Sequence, residues 1–222
     1  FADAREVFTR DRLPLDWAMT HYNSGNSYLL LGALTNQPER YQDAAKAFST
    51  ALEVYKRDNV PEQWAMAMAN LGSALQTLSN YQTDTRALKE SIEARRAALE
   101  VLTPESAAVD WANAQSGLGM SLNNLGMREQ TGKYADEAEK AFLASIKVFS
   151  KEALPLQWAF QQNNLGDVYW NKGTLGKNRK ALERALGYFA EAREIMVAQG
   201  NPAMISLIDK KVDLVNNALG KK

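Results

Sequence analysis

Apolar residues in this chain recur at the spacing of helix faces. Trp64, Met68, Leu71, Leu75 and Leu78 follow an i, i+4, i+7 stripe, the one-sided pattern of an amphipathic helix. Ala44, Phe48, Ala51, Leu52 and Tyr55 form a second stripe of that period, and Ala138, Phe142, Ile146 and Phe149 form a third. Polar stretches at 35–40, 79–85, 128–133 and 171–178 separate such stripes and are expected as connections. No sustained alternation of period two occurs. The pattern therefore predicts helix pairs and no sheet. Alanine, at 33 residues against 15 for valine plus isoleucine, pushes the same way, because it favours helices and disfavours strands.

The stripes are copies of one another. Trp17, Trp64, Trp111 and Trp158 stand 47 residues apart, each followed by alanine. Gly25, Gly72, Gly119 and Gly166 keep that register, as do Val7, Val54, Val101, Val148 and Ile195. Pro14, Pro61, Pro155 and Pro202 precede the tryptophan column, with Ala108 in the third copy. Phe1, Phe48, Phe142 and Phe189 make a further column, which Arg95 interrupts. Proline suits the first turn of a helix, where its missing N–H would be unpaired anyway. The predicted organisation is one domain over 1–222. It has a partial repeat (1–13), full repeats at 14–60, 61–107, 108–154 and 155–201, and a capping helix at 202–222. Each full repeat is an A helix followed by a B helix, and neighbouring pairs must stack to cover their apolar faces.

Charge shows where the A helices differ from ordinary surface helices. No Asp, Glu, Lys or Arg occurs from Trp17 to Pro38, Gln63 to Thr83 or Trp111 to Met127, and Leu156 to Asn171 holds only Asp167. Such helices are sheltered on both sides or present a neutral working surface. Charges gather on the B helices, for instance Lys89, Glu90, Glu93, Arg95 and Arg96. Those residues are expected on the outer, convex face, and the carboxylates are expected in salt bridges along the helices.

The string 67–79 (AMANLGSALQTLS) resembles the first helix of a tetratricopeptide repeat, with Leu71-Gly72 in the place of that family's Leu-Gly pair. The small–aromatic–small signature of its second helix is matched by Ala44, Phe48 and Ala51, by Ala138, Phe142 and Ser145, and by Ala185, Phe189 and Ala192. In the second repeat Ser91, Arg95 and Ala98 stand there instead. The resemblance covers the whole chain, although repeats of that family usually run about 34 residues. It implies an all-α, right-handed α-solenoid of stacked antiparallel helix pairs, a superhelix with the A helices lining its concave face. The implied groove residues are Met19, Tyr22, Asn23 and Asn26; Met66, Asn70 and Ser73; Asn113, Met120 and Asn123; Phe160, Asn163, Asn164, Asp167 and Trp170. Asn23, Asn70 and Asn164 share the register that members of the family often use to hold a ligand's main chain. The family's carboxylate clamp needs cations on this stripe, where Tyr22, Asn113 and Gly117 stand, so no clamp is expected.

Equal numbers of acidic and basic residues, 26 each, give no global field for nucleic acid. A third hypothesis, nucleic-acid binding through the basic fourth repeat and tail, would betray itself by steep salt dependence. No apolar run is long enough to span a bilayer. Cysteine is absent, which removes thiolate chemistry. His21 is the only histidine, so no His-based metal site or triad is expected, nor any catalytic residue, metal or cofactor. Residues 173–178 (GTLGKN) lack the spacing of a phosphate loop and are expected as a flexible connection, beside a basic patch of Lys172, Lys177, Arg179 and Lys180. The leading reading is a scaffold that binds a largely uncharged protein or peptide segment. The alternative is a sensor or regulatory module of a larger signalling or effector protein. Phe1 falls inside an expected helix, so a segment upstream is expected. The stripe of Phe1, Ala4, Val7 and Phe8 would then lack a neighbour and could self-associate. The compartment is left open, a cytoplasmic one being favoured over a periplasmic one.

Overall fold

The computed structural model describes residues 9–221. Among the described residues the chain forms nine α-helices and no strand. They are α1 (Pro14–Thr35), α2 (Pro38–Ala51), α3 (Pro61–Ser79), α4 (Arg86–Leu99), α5 (Pro104–Arg128), α6 (Ala135–Ile146), α7 (Pro155–Leu175), α8 (Arg179–Ala198) and α9 (Pro202–Ala218). Two compact units result, one ending at Gly117 and the other beginning at Leu118, so their boundary falls within α5. In the first unit α1 packs on α2 and α3 on both α2 and α4; in the second, α7 packs on α6, α8 and α9.

Each A helix begins with the same backbone geometry. Leu13, Val60 and Leu154 have φ/ψ of −140/68°, −140/67° and −138/65°, and each precedes a proline, which disfavours the helical region for the residue before it. Ala107 adopts −153/63° without a following proline and so divides α5 into a short turn and the A helix proper. A reciprocal cap holds that turn: Ser106 N–H donates to Thr103 Oγ1, and Thr103 N–H donates to Ser106 Oγ. The break therefore belongs to the repeat and not to proline alone.

The columns are packing relationships. Ala18, Ala65, Ala112 and Ala159 are wholly buried, which lets the helices approach closely. The phenylalanine rings lie flat on the glycines: a Cβ built on Gly25, Gly119 or Gly166 would come within 2.6, 2.8 and 2.4 Å of Phe48, Phe142 and Phe189. Tryptophans stay half-buried at the seams, Trp17 and Trp64 against Ala18, Ala51 and Ala67, and Trp64 and Trp111 against Ala65, Ala98 and Ala114. Helices covered on two sides in this way have little room for charge, which accounts for the charge-free A segments.

Several expectations are corrected. Residues 1–8 lie outside the described residues, and with them Phe1, Ala4, Val7 and Phe8; residues 9–13 form a turn and not a helix. The first connection is only Asn36 and Gln37, with Asn36 left-handed (φ 53°) and its N–H donated to Gly32 O. Most of 171–178 is helical, since α7 runs to Leu175. Lys172 is therefore no loop residue. It pairs with Asp136 (2.7 Å) and Glu139. Ile208 and Val215 of α9 and the following Leu219 are buried, whereas Leu207 and Leu214 remain 43% and 56% exposed, so the outer face of this helix keeps apolar residues.

Candidate interaction surface

The stripe residues separate by what already engages them. Met19, Met66, Asn113 and Phe160 occupy one column, and all four are exposed; the apolar ones are exposed by 44%, 37% and 40%. Ala18, Ala65, Ala112 and Ala159, one residue earlier, are buried, so each helix turns its neighbouring residue into the core and this one to solvent. Asn23, Asn164, Met120 and Trp170 are half-buried beside the column.

Several of the stripe's polar residues already bond to neighbouring helices. Asn70 Nδ2 donates to Tyr22 Oη (2.9 Å) and to Asn26 Oδ1 (3.0 Å), tying α3 to α1. In the second unit Lys211 of α9 stands in the same register and repeats the link: its Nζ donates to Asn163 Oδ1 (2.9 Å) and Asp167 Oδ2 (2.7 Å). Asn171 Nδ2 likewise donates to Asn123 Oδ1 (2.6 Å). Asn70, Asn163 and Asn123 thus serve the joints between A helices before any ligand arrives. Burial pushes the Asp167 carboxyl above its usual range although the Lys211 charge pulls it down. Lys211 thus occupies the place beside Asp167 where a ligand's cation would otherwise settle. Trp170 sits nearby, on the wall of a cavity of about 280 Å³ shared with Met127, Phe189 and Leu214.

Arg95 overturns its assignment to the convex face. It is 4% exposed. Its side chain runs inward over Gly72, where a Cβ would meet Cγ at 2.8 Å, and reaches Gly117, where a Cβ would lie 1.8 Å from Nη1. Arg95 interrupts the phenylalanine column and Gly117 marks the one full repeat without asparagine in the other, and the larger residue fills the space the smaller one vacates. Nη2 donates to Ser73 Oγ (3.2 Å), replacing the donor that an asparagine at 117 would supply. Nε has no partner among the described residues, and burial pushes the guanidinium down to about 10.

Sequence reasoning missed a further periodic device. Arg10, Arg57 and Lys151 each lie over a tryptophan seven residues on, at 5.7, 5.8 and 5.1 Å from the ring centres of Trp17, Trp64 and Trp158. The same cations pair with Glu53 (2.6 Å), Glu100 and Glu194 (3.5 Å), always 43 residues further along. The signal was present as two more 47-residue columns, broken together by Pro104 and Lys147. The carboxylates were expected to pair within their own helices, so partners 43 residues away went unseen. Lys172 and Glu139 show the same coupling, standing in columns that elsewhere hold leucine and apolar residues. Among the described residues no three His, Asp or Glu side chains converge as a metal site, and no helix is long and apolar enough to cross a membrane.

Comparison with known proteins gives a family match and a distant structural likeness. The family model described as tetratricopeptide repeat matches residues 64–105, which run from the first turn of α3 through α4 to the start of α5. The crystal structure of BtubC (BKLC) from P. vanneervenii is 14% identical, covers 92% of this chain and 91% of that chain, and has a TM-score of 0.35, too slight a likeness to bear on function. No match was found among curated proteins. With the 47-residue columns and the ring-on-glycine packing, the match at 64–105 supports assigning the chain to the tetratricopeptide-repeat superfamily.

Proposed function

We propose that this chain is a protein-interaction module that holds a largely uncharged extended or helical segment against the exposed column of its A helices. Tetratricopeptide repeats generally mediate protein–protein interactions. The observation that carries the finer reading is the column Met19, Met66, Asn113 and Phe160, exposed in every repeat beside a fully buried alanine column. Methionine and aromatic side chains give adaptable apolar contact. Within the first unit the anchors are Met19 and Met66, with Asn23 and Asn113 beside them; within the second they are Met120, Phe160 and Trp170, with Asn164. Its chemistry is binding rather than catalysis, and nucleic acid is not the partner.

A displayed peptide library selected on wild type tests this. Met66→Ser and Phe160→Ser variants should lose the selected peptides, while Lys46→Ser and Glu90→Ser on the outer surface should keep them. Retention by the first pair with loss by the second would move the partner to the outer face. A complex that weakened steeply with salt would point to nucleic acid instead. A second copy of the chain is a further partner. Leu30 and Leu34 on α1 are 63% and 76% exposed, and Leu31 is 41% exposed while its counterpart Leu78 is only 7% exposed. Sedimentation at rising concentration should show self-association that Leu31→Glu with Leu34→Glu abolishes; a monomer throughout would exclude it.

A further inference from the structure

Among the described residues Arg95 has no counter-ion. Four side chains of the cavity beside it are uncharged: Tyr22 and Asn70 already bond each other, Ser73 accepts one hydrogen bond, and Asn113 is neutral. The fifth, Asp110, is an exposed carboxylate on the wall of the same cavity, and it forms no ion pair with Arg95. That cavity, about 110 Å³, lies within the first unit and has room for a carboxyl group on a short stem. A guanidinium carries five donors in a planar fork that matches a carboxylate. Here one donor bonds Ser73, and the buried Nε bonds nothing among the described residues. Burying a cation this way is costly unless something pairs with it.

We propose that this cavity is a binding site for a single carboxylate, the chain terminus or an acidic side chain of the bound segment, with the Arg95 guanidinium as its anchor. The cation comes from α4, a B helix, and reaches the A-helix side because Gly72 and Gly117 leave it a passage. This is not a clamp of cations along the A helices. Asp110 on the wall limits the occupant to one negative charge, since a dianion such as phosphate would be repelled there. The pocket's existence is independent of the exposed column, whereas its occupant being part of a partner protein rests on the interaction-module reading.

Acetate tests the pocket without any peptide. In the ¹⁵N-labelled chain of residues 1–222, acetate should shift the Gly117 and Ser73 amides and the Arg95 Nε–H saturably, and acetamide should not. Arg95→Lys should weaken the response about tenfold or more, the range for losing a charge-assisted bidentate contact. Arg95→Phe with Gly117→Asn restores the residues the other repeats carry; it should fold at least as stably and show no response. Asp110→Asn should tighten acetate. Absence of a saturable response in wild type, a response retained in the double variant, or weaker binding by Asp110→Asn would each overturn the assignment. Short acetylated alanine peptides ending in a free carboxylate, or amidated and carrying one glutamate, identify the source. Binding of either supports a partner's carboxylate. Failure of both while acetate binds would refute the protein source and leave the pocket standing.

Discussion

Adding one methyl group should have opposite effects at two glycines of the second unit. Gly166 in α7 faces Phe189, whose ring is 1% exposed among Ala159, Tyr169, Ala185 and Ala192. A Cβ there would lie 2.4, 2.6 and 2.8 Å from Cε1, Cδ1 and Cζ of that ring. All three contacts are shorter than real Cβ atoms make, and a ring packed on every side cannot swing clear. Overpacking of this kind costs about 1–3 kcal/mol, against about 0.5–1 kcal/mol that alanine gains over glycine inside a helix. Gly166→Ala should therefore lose about 1–2 kcal/mol. Gly187 in α8 is exposed, with nothing within 4 Å of a built Cβ, so Gly187→Ala should gain about 0.5–1 kcal/mol. Urea titrations followed by circular dichroism, compared at equal m-values, give both numbers. In the Gly166→Ala background, Phe189→Leu should cost less than it does in wild type, because the smaller side chain relieves the clash. If Gly166→Ala were as stable as wild type, the ring-on-glycine account of the column would be wrong.

Removing Lys211 as Lys211→Met should cost about 1–3 kcal/mol, since it strands the Asp167 carboxylate; adding Asp167→Asn should recover most of this in the same urea assay, and no recovery would refute the pairing. Burial pushes the Glu139 carboxyl up, but hydrogen bonds from Lys172 and Tyr169 outweigh it and hold it below 4.5, while Lys172 also holds Asp136 below 3.8. Their stabilisation is therefore complete above the unfolded values and is lost as pH falls through the depressed folded ones. The stability gap between wild type and Lys172→Leu should shrink as titrations move from pH ~7 to pH ~3, and a constant gap would sink the network. Trp64→Ala should cost about 2–4 kcal/mol, the lower part of the aromatic range because the ring is half-buried; a loss below about 1 kcal/mol would show the seam to be unimportant.

The helix pairs and their starts were legible in the sequence because identical packing was written repeatedly at one spacing. Pro14, Pro61 and Pro155 mark a backbone geometry, and the glycine and phenylalanine columns are two sides of one contact. Arg95 was misread because a charged residue on a B helix was judged by its own column alone. Its meaning lies in Gly117, 22 residues on, and only the three-dimensional contact joins the two exceptions. Lys172 with Glu139 and Arg57 with Glu100 were hidden for the same reason, since opposite charges attract across a fold without keeping helical spacing. The candidate surface was half legible. The exposure of Met19, Met66 and Phe160 follows from helix phase, but the engagement of Asn70 and Asn123 depends on neighbours brought close by stacking.

The Arg95–Gly117 fit makes the repeats unequal heirs of a common ancestor. A chain of interchangeable units can lengthen by copying any one of them. Here Arg95 and Gly117 sit in consecutive repeats and must be inherited together. Deleting 61–107 would set Phe48 one repeat before Gly117, with nothing to fill the space that glycine leaves. Deleting 108–154 would set the long guanidinium one repeat before Asn164, whose side chain occupies the room it needs. The second and third repeats therefore fit one another as a matched pair of 94 residues, spanning 61–154, and neither alone carries both halves of the contact.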